Sequence, residues 1–239
     1  PQAAAFAANT PGRPGSGRGV VTGRTRSRVT GAPEVLGEYP TSCLAEEIET
    51  DGPGRVRALV SVASNPVLSA PNGARIGAAL RRLDFMVSVD IYLNETTQHA
   101  DVILPGLSTF EEPHYDVSFP QLSCRNHARY SPPVFAPAAG AQGEWQALLR
   151  LAAMLRGEAG AGEPGFDLAA FDAQWLADDL RRLGAAVPEP VQAAMLDALG
   201  PVPGPERLLD LALRAGPHGD QFGRKPHGLS LAALKDAPH

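Results

Sequence analysis

The sequence predicts an α/β fold: a Rossmann-like parallel βαβ sheet, a short β-rich segment and a helical C-terminal extension. Three observations predict it. Residues Arg55–Ala63 (RVRALVSVA) and Phe85–Val89 (FMVSV) are short apolar runs rich in β-branched side chains, as in parallel strands buried on both faces. Between them Ile76, Ala79, Leu80 and Leu83 fall at i, i+3, i+4 and i+7, the inward face of a helix that Asn72 is placed to cap. Beyond Gly106 the pattern changes, first to the alternation of Tyr115, Val117 and Phe119 and then to helical stripes.

The elements follow in order. Residues 1–33 are rich in Gly, Pro, Thr and Arg and read as loop, with Arg13, Arg18, Arg24, Arg26 and Arg28 solvated rather than bound to phosphate. Thr41 or Ser42 is placed to cap a short helix, Cys43 to Glu49. The first strand ends at Ser64-Asn65-Pro66, where Pro66 forbids continuation and leaves Asn65 at the tip. The second ends at Asp90 and enters a polar loop, Asn94 to His99, before a third short strand, Asp101 to Leu104, closed by Pro105. Strand, helix and strand put Asn65 and Asp90 at the same edge of a parallel sheet, where open α/β sheets bind ligands. Taken alone, Asp90 reads equally as a crevice carboxylate or a solvated loop residue. From Gly106 to Pro133 the chain reads as a β-hairpin or irregular β segment. A helix follows from Gly143 to Gly157, with Trp145, Leu148, Leu149, Ala152 and Leu155 as its stripe and Glu144 in its first turn. Further helices carry Phe171 to Leu183, Val191 to Leu199 and, opened by Pro205 and closed by Gly216, GPERLLDLALRAG. Ser230 is placed to cap a last one. The organisation expected is 1–53 loop and short helix, 54–105 α/β cofactor-binding part, 106–157 β segment plus helix, and 158–239 helical extension.

Composition narrows the class. With 44% apolar residues the 239-residue chain can build a core, and a formal net charge of −5 argues against nucleic acid as partner. No apolar run approaches the ~20 residues of a membrane span. Cys43 and Cys124 are too far apart in sequence to form a cluster motif, and point to a reducing, cytoplasmic setting. Glu111, Glu112, His114 and Asp116 match no metal-ligand spacing and suit an exposed loop. SNPVLSAPNGA holds no G-x-G-x-x-G, so a nicotinamide dinucleotide site is not expected. The chain starts at Pro1 and is expected to be a fragment.

The stretch LDFMVSVDIYLNETTQHADVILP, residues 83–105, resembles the molybdopterin-dependent oxidoreductases of the dimethylsulfoxide reductase class, which includes formate dehydrogenases and nitrate reductases. The resemblance runs from about residue 30 to 157, through PEVLGEYPTSCLAEEIE, SNPVLSAPNGARI and GEWQALLRLA, and leaves the later helices as an insertion. It implies a bis(molybdopterin guanine dinucleotide) cofactor carrying molybdenum, with an iron–sulfur cluster and the molybdenum ligand elsewhere in the parent. This chain would contribute to the cradle of one guanosine end and hold no catalytic residue. By the family pattern Asn65 contacts the cofactor, Asp90 and Glu144 contact the nucleotide, and Thr97 joins them from the loop. Guanine offers two donors on one edge, which a carboxylate accepts together. Three positions depart from the pattern: Val89 stands where Ser is common, Glu112-Pro113 where a Lys is, and Glu144 where the shorter Asp is. The partners implied are the remaining domains of the same enzyme and an electron-transfer partner. The alternative is a scaffold domain of a complex I-like iron–sulfur subunit without molybdenum. The retained Asn65–Asp90 pair favours the enzyme.

Overall fold

The computed structural model describes residues 22–35, 37–117, 127–183, 189–200 and 202–237. Arg13, Arg18, Phe119 and Cys124 lie outside them. The chain divides into two compact units, Gly15–Gly106 and a second that begins at Leu107.

The first unit holds the predicted sheet. Strands β3 (Ala58–Val62), β4 (Phe85–Val89) and β5 (Val102–Leu104) are parallel and adjacent in that order. The chain passes from β3 to β4 through α2 (Pro66–Ser69) and α3 (Gly73–Leu80). As the spacing predicts, Ile76, Ala79 and Leu80 are buried, packed with Met86 and with Ala45 and Ile48 of α1 (Leu44–Glu49). Burial of each of Ile48, Ile76, Leu80 and Met86 contributes about 1.5–3 kcal/mol. Gly73 is required by close approach: a Cβ there would lie 1.8 Å from the carbonyl oxygen of Val67.

Burial on both faces is confined to the end of β4, where Ser88 and Val89 are both buried. Leu59, Met86 and Ser88 face the helices, whereas Val60, Val62, Phe85, Val102 and Leu104 are between 37% and 47% exposed. The described helices of this unit pack on one face of the sheet, which leaves the alternate residues open. Neither expected helix cap forms. Thr41–Cys43 is a turn of 3₁₀ helix ahead of α1 without a side-chain cap, and Asn72 stands before α3 at φ 60°, its side chain capping nothing.

Residues 1–33 are not all loop either. Strands β1 (Thr22–Arg26) and β2 (Pro33–Val35) pair antiparallel. Glu34, 2% exposed, accepts from both the backbone and the guanidinium of Arg24 and from the backbone N–H of Gly37. Arg26 donates to the Gly31 carbonyl, and Arg28 reaches Glu47 and the Thr50 carbonyl. These three arginines therefore have internal partners.

In the second unit, β6 (His114–Tyr115) and β7 (Tyr130–Ser131) form the short hairpin. Among the described residues five helices follow: α4 (Glu144–Leu155), α5 (Leu168–Leu183), α6 (Glu189–Leu199), α7 (Pro205–Ala215) and α8 (Leu231–Lys235). The expected stripe of α4 is displaced. Ala153, with Leu149, packs on Phe166, Phe171 and Trp175, while Leu148 and Leu155 stay exposed. Pro205 opens α7 as read, and Ser230 Oγ accepts from Ala233 N–H at the head of α8. Helix α7 is held by charge as well as by Leu213: Arg207 pairs with Asp172 of α5, and Asp210 accepts from the N–H of Leu231 at 2.7 Å. Arg214 bridges Asp210 and Asp220 at 2.8 and 2.6 Å.

The Arg24 bond, then the Gly37 N–H, pulls the Glu34 carboxyl from its ordinary 4.5 down to about 2. A lowered acid stabilises the fold above its unfolded value and loses that contribution as pH falls through the folded one. Stability is therefore expected to drop between about pH 4.5 and about pH 2, and Glu34→Gln should flatten that part of the curve. Thermal melting across this range checks it; an unchanged slope in the variant would assign the acid sensitivity to other groups.

Candidate functional site

The C-terminal edge of the β3-β4-β5 sheet is built from two loops. The first leaves β3 through Ala63, whose positive φ of 44° turns the chain at a cost of order 1–3 kcal/mol. Ala63 N–H still bonds the Val89 carbonyl at 2.9 Å, so the turn is anchored to β4. Asn65 follows, half-buried, and Pro66 starts α2. The second loop leaves β4 at Asp90 and returns to β5 through a single turn of 3₁₀ helix, Thr97–His99.

Asp90 is 7% exposed and both its oxygens are engaged: Oδ1 accepts the Tyr92 N–H at 2.9 Å, and Oδ2 accepts from Asn94 Nδ2 at 3.2 Å. Asn94 Oδ1 accepts the backbone N–H groups of both Thr96 and Thr97 at 2.9 Å. Thr97, fully buried, accepts from Asn94 N–H at 2.8 Å and donates to the Tyr92 carbonyl at 2.9 Å. Thr96, also fully buried, joins the two loops. Its hydroxyl accepts from the Val67 N–H at 3.0 Å and donates to Asn65 Oδ1 at 2.7 Å. Asn65 Nδ2 then donates to Glu95 Oε2 at 2.7 Å. That bond, first among its causes, holds the Glu95 carboxyl below the usual carboxylate range.

Asn65, Asp90 and Thr97 thus lie in one hydrogen-bonded network. Glu144 belongs to the second unit. It opens α4 there, and Gln146 closes the turn by accepting from the Gly143 N–H at 2.9 Å. Burial first, then the nearby Glu144 charge, raises the pKa of Glu112. Glu112 is half-buried, with its Oε1 close to Gly143 at the start of α4. Glu111 is occupied by the N–H and hydroxyl of Ser108. Among the described residues no group of three or more His, Cys, Asp or Glu is placed to hold a metal ion. Nor is any described helix long and apolar enough to cross a membrane.

Asn94, Glu95 and Thr96 were not singled out from the sequence. The signal was present in N-E-T-T, since Asn and Thr side chains commonly bond backbone groups two or three residues on. The Thr96–Asn65 bond crosses 31 positions and has no local signature. Asp101, read only as the start of a strand, accepts the Met86 N–H at 2.7 Å and so fastens β5 to β4.

With this geometry in place, the family model for "Molybdopterin oxidoreductase" matches residues 2–153, well over half of the chain. The chain belongs to the molybdopterin oxidoreductase family. It is 42% identical over 67 residues to the assimilatory nitrate reductase catalytic subunit of Bacillus subtilis (strain 168), covering 28% of this chain and 9% of that protein. The F420-dependent formate dehydrogenase 1 subunit alpha of Methanococcus maripaludis is 40% identical over 58 residues, 24% of this chain and 9% of that protein. The probable oxidoreductase YjgC of Bacillus subtilis (strain 168) is 31% identical over 125 residues, 52% of this chain and 12% of that protein. The matched part is thus about a tenth of each relative's length. The family implies a molybdenum–pterin cofactor.

The network predicts a stability effect at Thr96. Thr96→Val keeps the shape but strands a Val67 N–H and an Asn65 Oδ1 that the hydroxyl now satisfies. Chemical denaturation should register a loss of about 1–3 kcal/mol. Gln98→Ala, at an exposed position of the same loop, should stay within about 0.5 kcal/mol. Equal stability of the two variants would show that the hydroxyl bridge is dispensable.

Proposed function

We propose that this chain forms part of the cradle for the guanosine end of a molybdopterin guanine dinucleotide in a molybdenum oxidoreductase. The observation that carries the reading is the joining of Asn65, Asp90 and Thr97 into one network at the C-terminal edge of a parallel sheet. Open α/β sheets take ligands at that edge. The donor and acceptor chemistry fits. Guanine presents N1–H and N2–H₂ on one edge, and this edge presents carboxylates. The loop after β3 has no run of bare glycines for a pyrophosphate, which suits the base end of the ligand better than its phosphates.

When bound, the family's molybdenum–pterin group supplies two-electron redox or oxygen-atom transfer chemistry. The residues of this chain do not take part in that step. Asn65, Asp90 and Thr97 fix the loops that receive the nucleotide, and Glu144 is a further nucleotide contact assigned by the resemblance alone. The bis form of the cofactor, the iron–sulfur cluster and a cytoplasmic setting belong to the same proposal. So do the remaining domains and an electron-transfer partner.

Metal analysis and mass spectrometry of the intact protein carrying this chain test the reading. Molybdenum and guanine nucleotide are expected together in the material released on denaturation. A stably folded protein that carries an iron–sulfur cluster but neither molybdenum nor guanine nucleotide would replace this reading with the complex I-like scaffold.

A further inference from the structure

Within the second unit, helix α7 and the β6-β7 hairpin face each other across a cavity of about 440 Å³. Local pattern builds both walls. Tyr115 and Tyr130 are register partners on the two strands, so their rings stand on one face of the hairpin, and Val117 extends that wall. Pro205, Leu208, Leu209 and Ala212 fall at i, i+3, i+4 and i+7, on one face of α7. Leu209 and Ala212 pack with Tyr115 on the core around Tyr130 and Leu213. The walls do not close on each other: Leu208 and Val117 remain 47% and 56% exposed. Small-molecule pockets run from about 300 to about 1,000 Å³ and are mostly apolar with a few placed polar groups.

The placed polar group is Glu206. It is the one acidic side chain among the described walls, and no Lys or Arg joins it there. It stands in the first turn of α7, where the helix dipole favours an anion. Its Oε1 accepts from the Tyr130 hydroxyl and pairs with Lys235 at 2.8 Å. Lys235 lies over the Tyr130 ring, 5.0 Å from its centroid, and so fastens ring and carboxylate together. Burial opposes the charge of Glu206, but the Lys235 and Tyr130 bonds outweigh it and hold the carboxyl below its ordinary pKa. Both bonds fall on Oε1. A carboxylate accepts about four bonds in all, which leaves Oε2 for a further donor.

From this arrangement we propose that the cavity between α7 and the hairpin binds a small apolar amine, its hydrocarbon body between the two walls and its ammonium group on Glu206 Oε2. The body removes exposed apolar side chains from water, and the ammonium brings N–H donors and the complementary charge. A carboxylate in the same place would meet Glu206 charge against charge. Helix α7 lies beyond residues 2–153, which the family model matches, so one whole wall of this site belongs to the helical extension.

Calorimetric titration of the 239-residue chain with 2-phenylethylamine, 2-phenylethanol and 3-phenylpropionate tests the assignment. The alcohol keeps the apolar body without the charge, and the acid reverses the charge. The amine should bind about tenfold or more tighter than the alcohol, the range of one charge-assisted hydrogen bond, and the acid most weakly. Added salt should weaken the amine and leave the alcohol unchanged. Glu206→Gln retains an acceptor for Tyr130 and should bring amine and alcohol to equal affinity, with the alcohol bound as before. Leu208→Trp fills the cavity from an exposed position and should remove binding of both without lowering the melting temperature. Amine binding that survives Leu208→Trp lies elsewhere and overturns the proposal. So does an unmodified chain that binds no amine, or one in which amine and alcohol bind equally and respond alike to salt.

Discussion

The hydroxyl of Thr96 is the point on which the sheet edge depends. A hydroxyl can donate once and accept twice, and this one, fully buried, does both across two loops that are distant in sequence. It receives the Val67 N–H at the start of α2 and gives its proton to Asn65. Without that bridge the loop after β3 and the loop after β4 would share the strand ladder below them and little else. The side-chain bonds that cross between the loops follow from it. Asn65 is oriented by the bond to its oxygen, which leaves its nitrogen for Glu95. Asn94 meanwhile shapes its own loop, accepting two backbone N–H groups and donating to Asp90. Each buried polar group in the chain of bonds thus serves as the partner that another requires, and so the edge is stable as a set.

The fold was legible where local pattern and burial coincide. The β3 and β4 runs stop at Asn65-Pro66 and Asp90 for reasons visible in the residues themselves, and α3 carries its inward face in its spacing. Pro205 and Gly216 frame α7 in the same way. Legibility fails where a distant partner decides. β1 and β2 show no apolar alternation, and their pairing is fixed by Arg24 and Glu34, ten residues apart. The α4 sequence supports more than one apolar stripe, and Phe171 and Trp175 select the one through Leu149 and Ala153. For the site, Asn65, Asp90 and Thr97 were found because they end strands or match a family motif. Thr96 was passed over because its main partners lie 29 and 31 positions away.

The three departures from the family pattern also differ in physical weight. Glu112 stands where a Lys is common, and its half-buried carboxylate lies close to Gly143 at the head of α4. The helix dipole favours an anion and disfavours a cation at this end, so the substitution reverses the charge at the head of α4. Val89 is 2% exposed at the end of β4, directly before Asp90. Its neighbour Ser88 is fully buried and bonds Ser61 across the sheet at 2.8 Å, so the hydroxyl pairing inside this sheet lies one residue earlier. Glu144 keeps the charge of the shorter Asp, and that charge is one of the causes that raise the pKa of the nearby Glu112.

The charge and bond inventory of the edge argues for which end of a dinucleotide it can receive. A phosphate group seeks backbone N–H donors at the start of a helix, as glycine-rich turns provide. Here Pro66 has no N–H, the Val67 N–H is given to Thr96, and α2 is four residues long. In the second loop the N–H groups of Tyr92, Asn94 and Thr96 are spent in the same way, on Asp90, Thr97 Oγ1 and Asn94 Oδ1. What these two loops leave available is mainly acceptor, with Glu95 exposed and Asp90 buried. An anion meets like charge and few donors at such an edge, whereas a planar base with adjacent N–H groups finds acceptors already held in place. The same bonds that make the loops rigid therefore also set their polarity, since each internal donor they consume is one that a phosphate cannot use.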